Sequence, residues 1–146
     1  METIVERVTT YNQLFEAWTE LGNQHPIPLK IRLNNFSLYI EKLFNFAENY
    51  IVKVRDELAG AISFYNNDTK TNIAFISQIC TIEKYRKNGI GTLLLKICED
   101  KAKQNRMKAI RLEVKKDNHN AIKFYFKNGF YQKGDSASSY YMEKEI

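Results

Sequence analysis

Apolar positions in the first third of the chain recur every three or four residues, and the middle third switches to alternation. Ile4–Val8 reads as a short strand. Thr9 or Thr10 then caps a helix to about Leu21, with Leu14, Ala17, Trp18 and Leu21 on one face. His25-Pro26-Ile27-Pro28 holds both prolines and predicts an extended connection. Asn34 or Asn35 caps a second helix to about Asn49, whose inner face is Phe36, Tyr39, Ile40, Leu43, Phe44 and Ala47. Strands follow at Tyr50–Arg55, Ala61–Tyr65 and Ile73–Ile82. Asp56-Glu57-Leu58-Ala59-Gly60 and Asn66-Asn67-Asp68 are the turns between them. Ile73–Ile82 is apolar on both sides, which places it centrally in a sheet.

The helical period returns at Gly89 and runs to about Arg106, with Ile90, Leu93, Leu94, Ile97, Cys98 and Ala102 facing inward. Ala109–Lys115 is a strand, and Asn118–Asn128 a helix stopped by Gly129. Phe130–Lys133 and Ser139–Glu145 close the chain as paired strands around Gly134-Asp135. With no repeat, linker or low-complexity tract, residues 1–146 read as one domain of mixed α and β structure.

Composition narrows the class. The chain is 44% apolar and 27% charged, ordinary for a globular protein. It has no apolar run of the roughly 20 residues a membrane span needs, and its acidic N-terminus is unlike a signal peptide, so a cytoplasmic protein without a membrane partner is expected. Cys80 and Cys98 match no metal spacing and read as core thiols. His25 and His119 are too scattered for zinc, so no metal is expected. The net charge of +5 is uneven: residues 1–72 hold 7 Lys/Arg and 9 Asp/Glu, residues 73–146 hold 15 and 8. The C-terminal half therefore suits a polyanion. Nucleic acid is the weakest choice, because no reading helix or stacking motif accompanies the charge.

The basic half contains Tyr85-Arg86-Lys87-Asn88-Gly89-Ile90-Gly91-Thr92, a loop between a buried strand and an amphipathic helix. The first turn of a helix leaves N–H groups unpaired, and its dipole adds positive potential. Glycines there let an anion approach, and Arg86 and Lys87 add charge, so a pyrophosphate fits. A lone Gly-x-Gly is more often just a tight turn. Two nucleotide motifs fail: Gly91 is followed by Thr92-Leu93 rather than Lys-Ser/Thr, and Leu94 stands where a dinucleotide fingerprint needs a small residue.

Arg86-Lys87-Asn88-Gly89-Ile90-Gly91 resembles the Arg/Gln-x-x-Gly-x-Gly/Ala motif of the GNAT family of N-acetyltransferases, with Tyr85 and Leu93-Leu94-Leu95 as similar context. Asn118-His119-Asn120-Ala121-Ile122-Lys123-Phe124-Tyr125-Phe126-Lys127-Asn128-Gly129-Phe130 is similar to that family's Asn-x-x-Ala-x-x-Phe-Tyr-x-x-x-Gly-Phe segment. Two motifs in this order and separation are far more specific than either alone. The resemblance implies a central, twisted, mostly antiparallel sheet of about six to seven strands flanked by about four helices. It also implies acetyl-CoA as co-substrate and transfer of acetyl to a primary amine of a small molecule or peptide.

By the same resemblance, Arg86, Lys87, Asn88, Gly89, Ile90, Gly91 and Thr92 would hold the pyrophosphate. Ile79, Cys80 and Thr81 would offer backbone groups to the pantetheine arm and the reacting carbonyl. Asn118 would bond that arm or the phosphates, and Tyr125 would be the general acid at the CoA sulfur. A thiolate has a pKa near 8.5 and tyrosine about 10, so Tyr125 is protonated at neutral pH. Phe124 and Phe126 are expected in the core.

Many family members carry a carboxylate on the central strand, where this chain has Ser77 and Gln78. Glu113, Glu83, Glu41 and His119 are the titratable candidates for the base, and a water relay is equally open. The departure motivates a second reading, a non-catalytic CoA-binding sensor or partner module. Phe36, Tyr39, Phe44, Phe46, Tyr50, Phe64 and Tyr65 make the expected acceptor side aromatic, each being individually compatible with plain core packing. The closing strands offer an exposed edge for a homodimer.

Overall fold

A computed structural model describes residues 2–23 and 35–146. The elements are β1 (Thr3–Arg7), α1 (Tyr11–Gly22), α2 (Phe36–Phe46), β2 (Glu48–Val54), β3 (Glu57–Tyr65), β4 (Ile73–Thr81), a single 3-10 turn (Glu83–Tyr85), α3 (Ile90–Gln104), β5 (Ala109–Lys115), α4 (His119–Lys127), β6 (Tyr131–Asp135) and β7 (Ser139–Glu145). The seven strands form one sheet in the order β1-β2-β3-β4-β5-β7-β6. Every neighbouring pair is antiparallel except β4 and β5. A parallel pair needs a crossover, and α3 supplies it. The mixed α/β class, the strand count and the four helices among the described residues agree with the expected architecture.

The sheet separates two apolar cores. On one face Ile62, Phe64, Ile110 and Leu112 pack under α3, with Leu94 and Cys98 as its inner stripe. On the other, Ile51 and Ala61 pack under α1 and α2, against Leu14, Trp18, Ile40 and Leu43. Thr10 is the N-cap of α1: its hydroxyl accepts from Gln13 N at 3.1 Å, and Gln13 Oε1 accepts from Thr9 N at 3.1 Å. Trp18 sends its indole N–H through the core to Ser63 Oγ at 3.0 Å. No helix among the described residues is long and apolar enough to cross a membrane.

Several boundaries differ from expectation for identifiable reasons. Asn35 stands at the N-cap of α2 but makes no side-chain cap and has φ 55°; Asn34 and His25–Pro28 lie outside the described residues. The helix stops at Phe46 rather than Asn49. Asn49 belongs to β2, and its amide donates to the carbonyls of Leu43 (3.0 Å) and Ala47 (3.1 Å), satisfying the helix end from the strand.

The β2–β3 turn is only Arg55-Asp56, both left-handed at φ 52° and 65°, the backbone that matches a two-residue hairpin to strand twist. Glu57–Gly60 are therefore strand. Gly60 sits where the Cys80 carbonyl would come within 2.8 Å of a Cβ. Gly134-Asp135 also lies inside a strand, beside a register shift between Gln132 and Gly134, and the turn falls at Ser136–Ser138.

Candidate active site

The parallel pair β4–β5 holds register only from Ile73↔Ala109 to Ile76↔Leu112. Beyond it β4 continues with β3, while β5 continues with β7 through Glu113↔Tyr141 and Val114↔Tyr140. A wedge opens between the two central strands. Its cause is local: β3 pairs Ser63 with Gln78 and Phe64 with Ile76, so Ser77 is an extra residue in β4. A bulge of this kind bends its strand and increases the twist.

Past the bulge, backbone groups alternate between β3 and the wedge. Ile82 N donates to Ala59 O at 2.8 Å, and the Cys80 carbonyl lies against Gly60, so both residues face β3. Ile79 and Thr81 therefore turn their N–H and C=O groups to the wedge. The Thr81 carbonyl accepts from Arg86 Nε at 3.2 Å. Cys80 directs its backbone toward β3, with its half-buried thiol 3.9 Å from Leu21 O.

One end of the wedge is the start of α3. Gly89 is the N-cap with φ 81° and provides no side-chain cap, so no capping side chain takes the first N–H groups. Arg86, Lys87 and Asn88 are exposed around it; Lys87 also has a positive φ of 67°, and Asn88 Nδ2 donates to Arg86 O at 3.4 Å. Ile90 is buried and anchors the helix. The two glycines differ in reason. Gly89 has nothing within 4 Å of a Cβ and is demanded by its φ, whereas Gly91 is demanded by the Phe124 ring of α4. Thr92 adds a second link to that region, its hydroxyl donating to Asn128 Oδ1 at 3.4 Å.

Asn118 caps α4: its Oδ1 accepts from Ala121 N at 3.3 Å, which leaves the amide N–H₂ directed outward on an exposed side chain. Tyr125 is buried on the inner face of α4, with its ring 5.4 Å from Phe124 and 5.7 Å from Phe130. Burial pushes its hydroxyl well above the ordinary tyrosine value, and the nearby Cys80 acts in the same direction. Phe124 is partly buried against the core as expected. Phe126 is a correction: it is 51% exposed and lines a cavity of about 210 Å³ with Ile122, Gln132 and Tyr140. It sits one residue past Tyr125, on the outward side of a short helix.

On the opposite face, Tyr39 of α2 meets the bulge. Its hydroxyl lies 2.6 Å from Ser77 Oγ, with the Gln78 side chain close by. Burial pushes the Tyr39 hydroxyl up, against the opposing effect of Ser77 and Gln78. Ser77 and Gln78 are consecutive yet both reach Tyr39, as a bulge allows and a regular strand does not. Nothing in the residue pattern signals this bulge. The aromatics expected on the acceptor side divide: Phe36, Tyr39, Phe44 and Tyr65 belong to the α1/α2 face, Tyr50 and Phe64 stack on the α3 face at 6.1 Å, and Phe46 is exposed.

Of the candidate bases, Glu41 is exposed on α2, Glu83 on the 3-10 turn and His119 at the start of α4. Glu113 is the first β5 residue beyond the last β4 pair. Its neighbours Leu112 and Val114 point into the α3-side core, so Glu113 belongs to the face that holds Tyr39, Ser77 and Gln78.

The acetyltransferase (GNAT) family profile matches residues 8–130. N-alpha-acetyltransferase 60 of Xenopus tropicalis is 36% identical over 73 residues, 48% of this chain and 29% of that protein, so the chain spans under a third of that relative's length. The PaiA N-acetyltransferase of Thermoplasma acidophilum, solved with coenzyme A, superposes with a TM-score of 0.80 at 21% identity over 100% of both chains. A Bacillus anthracis acetyltransferase structure with acetyl coenzyme A gives 0.77 at 23% identity, over 100% of this chain and 99% of that one.

Proposed function

The chain belongs to the acetyltransferase (GNAT) family, and from that premise we propose that it moves an acetyl group from acetyl-CoA to a primary amine of a small molecule or peptide. The observation that carries the reading is the coincidence at one wedge of three things. They are a strand edge that turns the Ile79 backbone and the Thr81 N–H to the wedge, an uncapped helix start beside Arg86 and Lys87, and a buried tyrosine.

Those residues fit the co-substrate by chemistry. Thr92 and the N–H groups after Gly89 suit a pyrophosphate, with Arg86, Lys87 and Asn88 around them. Ile79 and Thr81 offer amide partners to the pantetheine arm, and Asn118 offers its free amide N–H₂. Ile90 holds the helix start in place, Gly91 lets α4 close on it, and the Cys80 thiol lines the wall near Tyr125. Two structural relatives are complexes with CoA or acetyl-CoA, which supports the same ligand here.

When bound, the thioester supplies an electrophilic carbonyl and a departing thiolate; the chain supplies the rest. The raised Tyr125 hydroxyl stays protonated across the working pH range. It is too weak an acid to surrender its whole proton to a thiolate of pKa about 8.5, so Tyr125 stabilises the departing sulfur by donating a hydrogen bond. The sulfur takes up the proton that the nitrogen sheds as the C–N bond forms and the C–S bond breaks. The Ile79 N–H, pointing into the wedge, is placed to receive developing charge on the carbonyl oxygen. An alkyl amine has a pKa of about 10 and must lose a proton before attack. That proton leaves to solvent through water, and Glu113, the first β5 residue past the parallel pair, is the carboxylate on the acceptor-side face that can relay it.

Isothermal titration with acetyl-CoA, repeated in saturating CoA, tests the donor site. Saturable heat that CoA abolishes supports it, and no heat sinks it. The lack of a carboxylate on β4 favours one other reading, a CoA-binding module without turnover. Binding with no CoA released across an amine panel would select that one.

A further inference from the structure

The β4 bulge gathers side chains that the donor chemistry does not use. Ser77 and Gln78 project to the same face, and Tyr39 reaches both from α2, with its hydroxyl 2.6 Å from Ser77 Oγ. On β4 Gln78 adjoins Ile79, whose amide faces the wedge, and Ser77 is one residue further back. Tyr65 lies on the same face as Tyr39, and its ring has the Lys42 ammonium 5.7 Å from its centroid. Tyr39, Ser77 and Gln78 are all only partly buried, so the group lies at the rim of the core and not sealed within it.

We infer that Tyr39, Ser77 and Gln78 form the recognition element for the acceptor nitrogen, accepting hydrogen bonds from its N–H groups and so setting the angle of its lone pair. This rests on the acetyltransferase reading above and names the residues that its acceptor side requires. The chemistry of the cluster is specific. It consists of two hydroxyls and a carboxamide, all neutral, with one hydrogen bond between Tyr39 and Ser77 in which either hydroxyl can donate. Such groups accept from the N–H of a free amine, which is the form that attacks. A carboxylate there would instead hold the ammonium ion, the unreactive form, more tightly. Ser77 and Gln78 also share the backbone segment that supplies Ile79, so the nitrogen and the carbonyl it attacks are positioned by one strand.

Tyr39→Phe and Ser77→Ala test the inference, with a primary amine acceptor found from a panel and its N-methyl analogue, which has one N–H fewer. Each substitution is expected to raise the acceptor KM about five- to tenfold, the loss of one neutral hydrogen bond. The acetyl-CoA Kd should stay unchanged, and the double variant should be little worse than either single one, because the two hydroxyls act as a pair. The wild type should prefer the primary amine, and both variants should lose that preference. A merely structural role would not produce this loss. Ser77→Thr, which keeps the hydroxyl, should retain the wild-type KM, and thermal melting checks that each variant folds. Acceptor KM and amine preference unchanged in both variants overturn the inference while leaving the acetyltransferase reading intact. A wild-type protein that acetylates no amine overturns both.

Discussion

Gly91 and Phe124 interlock: a Cβ built on Gly91 would stand 2.9 Å from the Phe124 Cζ, closer than real side chains approach. This contact fixes how α3 lies on α4, and therefore how the anion-binding helix start is set against the helix that carries Tyr125. Gly91→Ala should destabilise the fold by about 1–3 kcal/mol, the usual cost of overpacking. Phe124→Leu should restore most of that loss in the double variant. Gly89→Ala, with open space but φ 81°, should cost only about 1–2 kcal/mol through backbone strain, and no change at residue 124 should relieve it. Chemical denaturation of the four variants separates the cases; equal losses with no rescue would show that the packing relationship is wrong.

Tyr125→Phe should lower kcat about 10- to 100-fold while leaving the acetyl-CoA Kd within about twofold, because the hydroxyl acts on the departing sulfur and the ring keeps its packing. Since the hydroxyl titrates above its ordinary value, the wild-type rate should show no alkaline fall from Tyr125 between pH 8 and about 10. Stopped-flow rates and calorimetry on the same preparations check both points. Unchanged turnover would remove Tyr125 from the chemistry.

Trp18 and Ser63 form a buried hydrogen bond across the α1–sheet interface. Ser63→Ala strands the indole N–H in the core and should cost about 1–3 kcal/mol, visible as a lower midpoint in denaturation followed by tryptophan emission. Trp18 is the sole tryptophan, so the signal is unambiguous. A midpoint equal to wild type would mean the indole finds another partner.

Glu143 should set part of the acid limit of stability. Burial alone would raise its pKa, but the Arg111 guanidinium at 2.7 Å, the Tyr131 hydroxyl at 3.2 Å and Lys133 hold it below the ordinary carboxylate value of 4.5. A depressed folded-state pKa means its contribution is complete above the unfolded value and is lost as pH falls through the folded one. Glu143→Gln should flatten melting temperature against pH below about 4.5, where the wild type still declines. Parallel curves would rule the residue out as a contributor.

Much of the frame was legible because it rests on periodicity. The stripe Leu14, Ala17, Trp18, Leu21 predicted α1, and β5 was read at its observed bounds, Ala109–Lys115. What escaped depends on contacts between distant segments. Gly60 looked like a turn residue, but it is the point where β3 meets the Cys80 carbonyl, and the real turn uses Arg55 and Asp56. Gly91 looked like room for an anion, and its nearest constraint is Phe124. The bulge at Ser77 carries no glycine to mark it, so the juxtaposition of Tyr39, Ser77 and Gln78 could not be read from spacing.

The reaction proposed for the β4–β5 wedge is transfer of acetyl from acetyl-CoA to an amine. Its most direct test is mass spectrometry of a panel of small amines and peptides incubated with acetyl-CoA and the protein, with released CoA quantified as free thiol. At least one acetylated amine is expected, formed in equal amount to the CoA released, and strongly reduced with Tyr125→Phe. Tight acetyl-CoA binding with no acetylated product and no CoA released across the panel would contradict it.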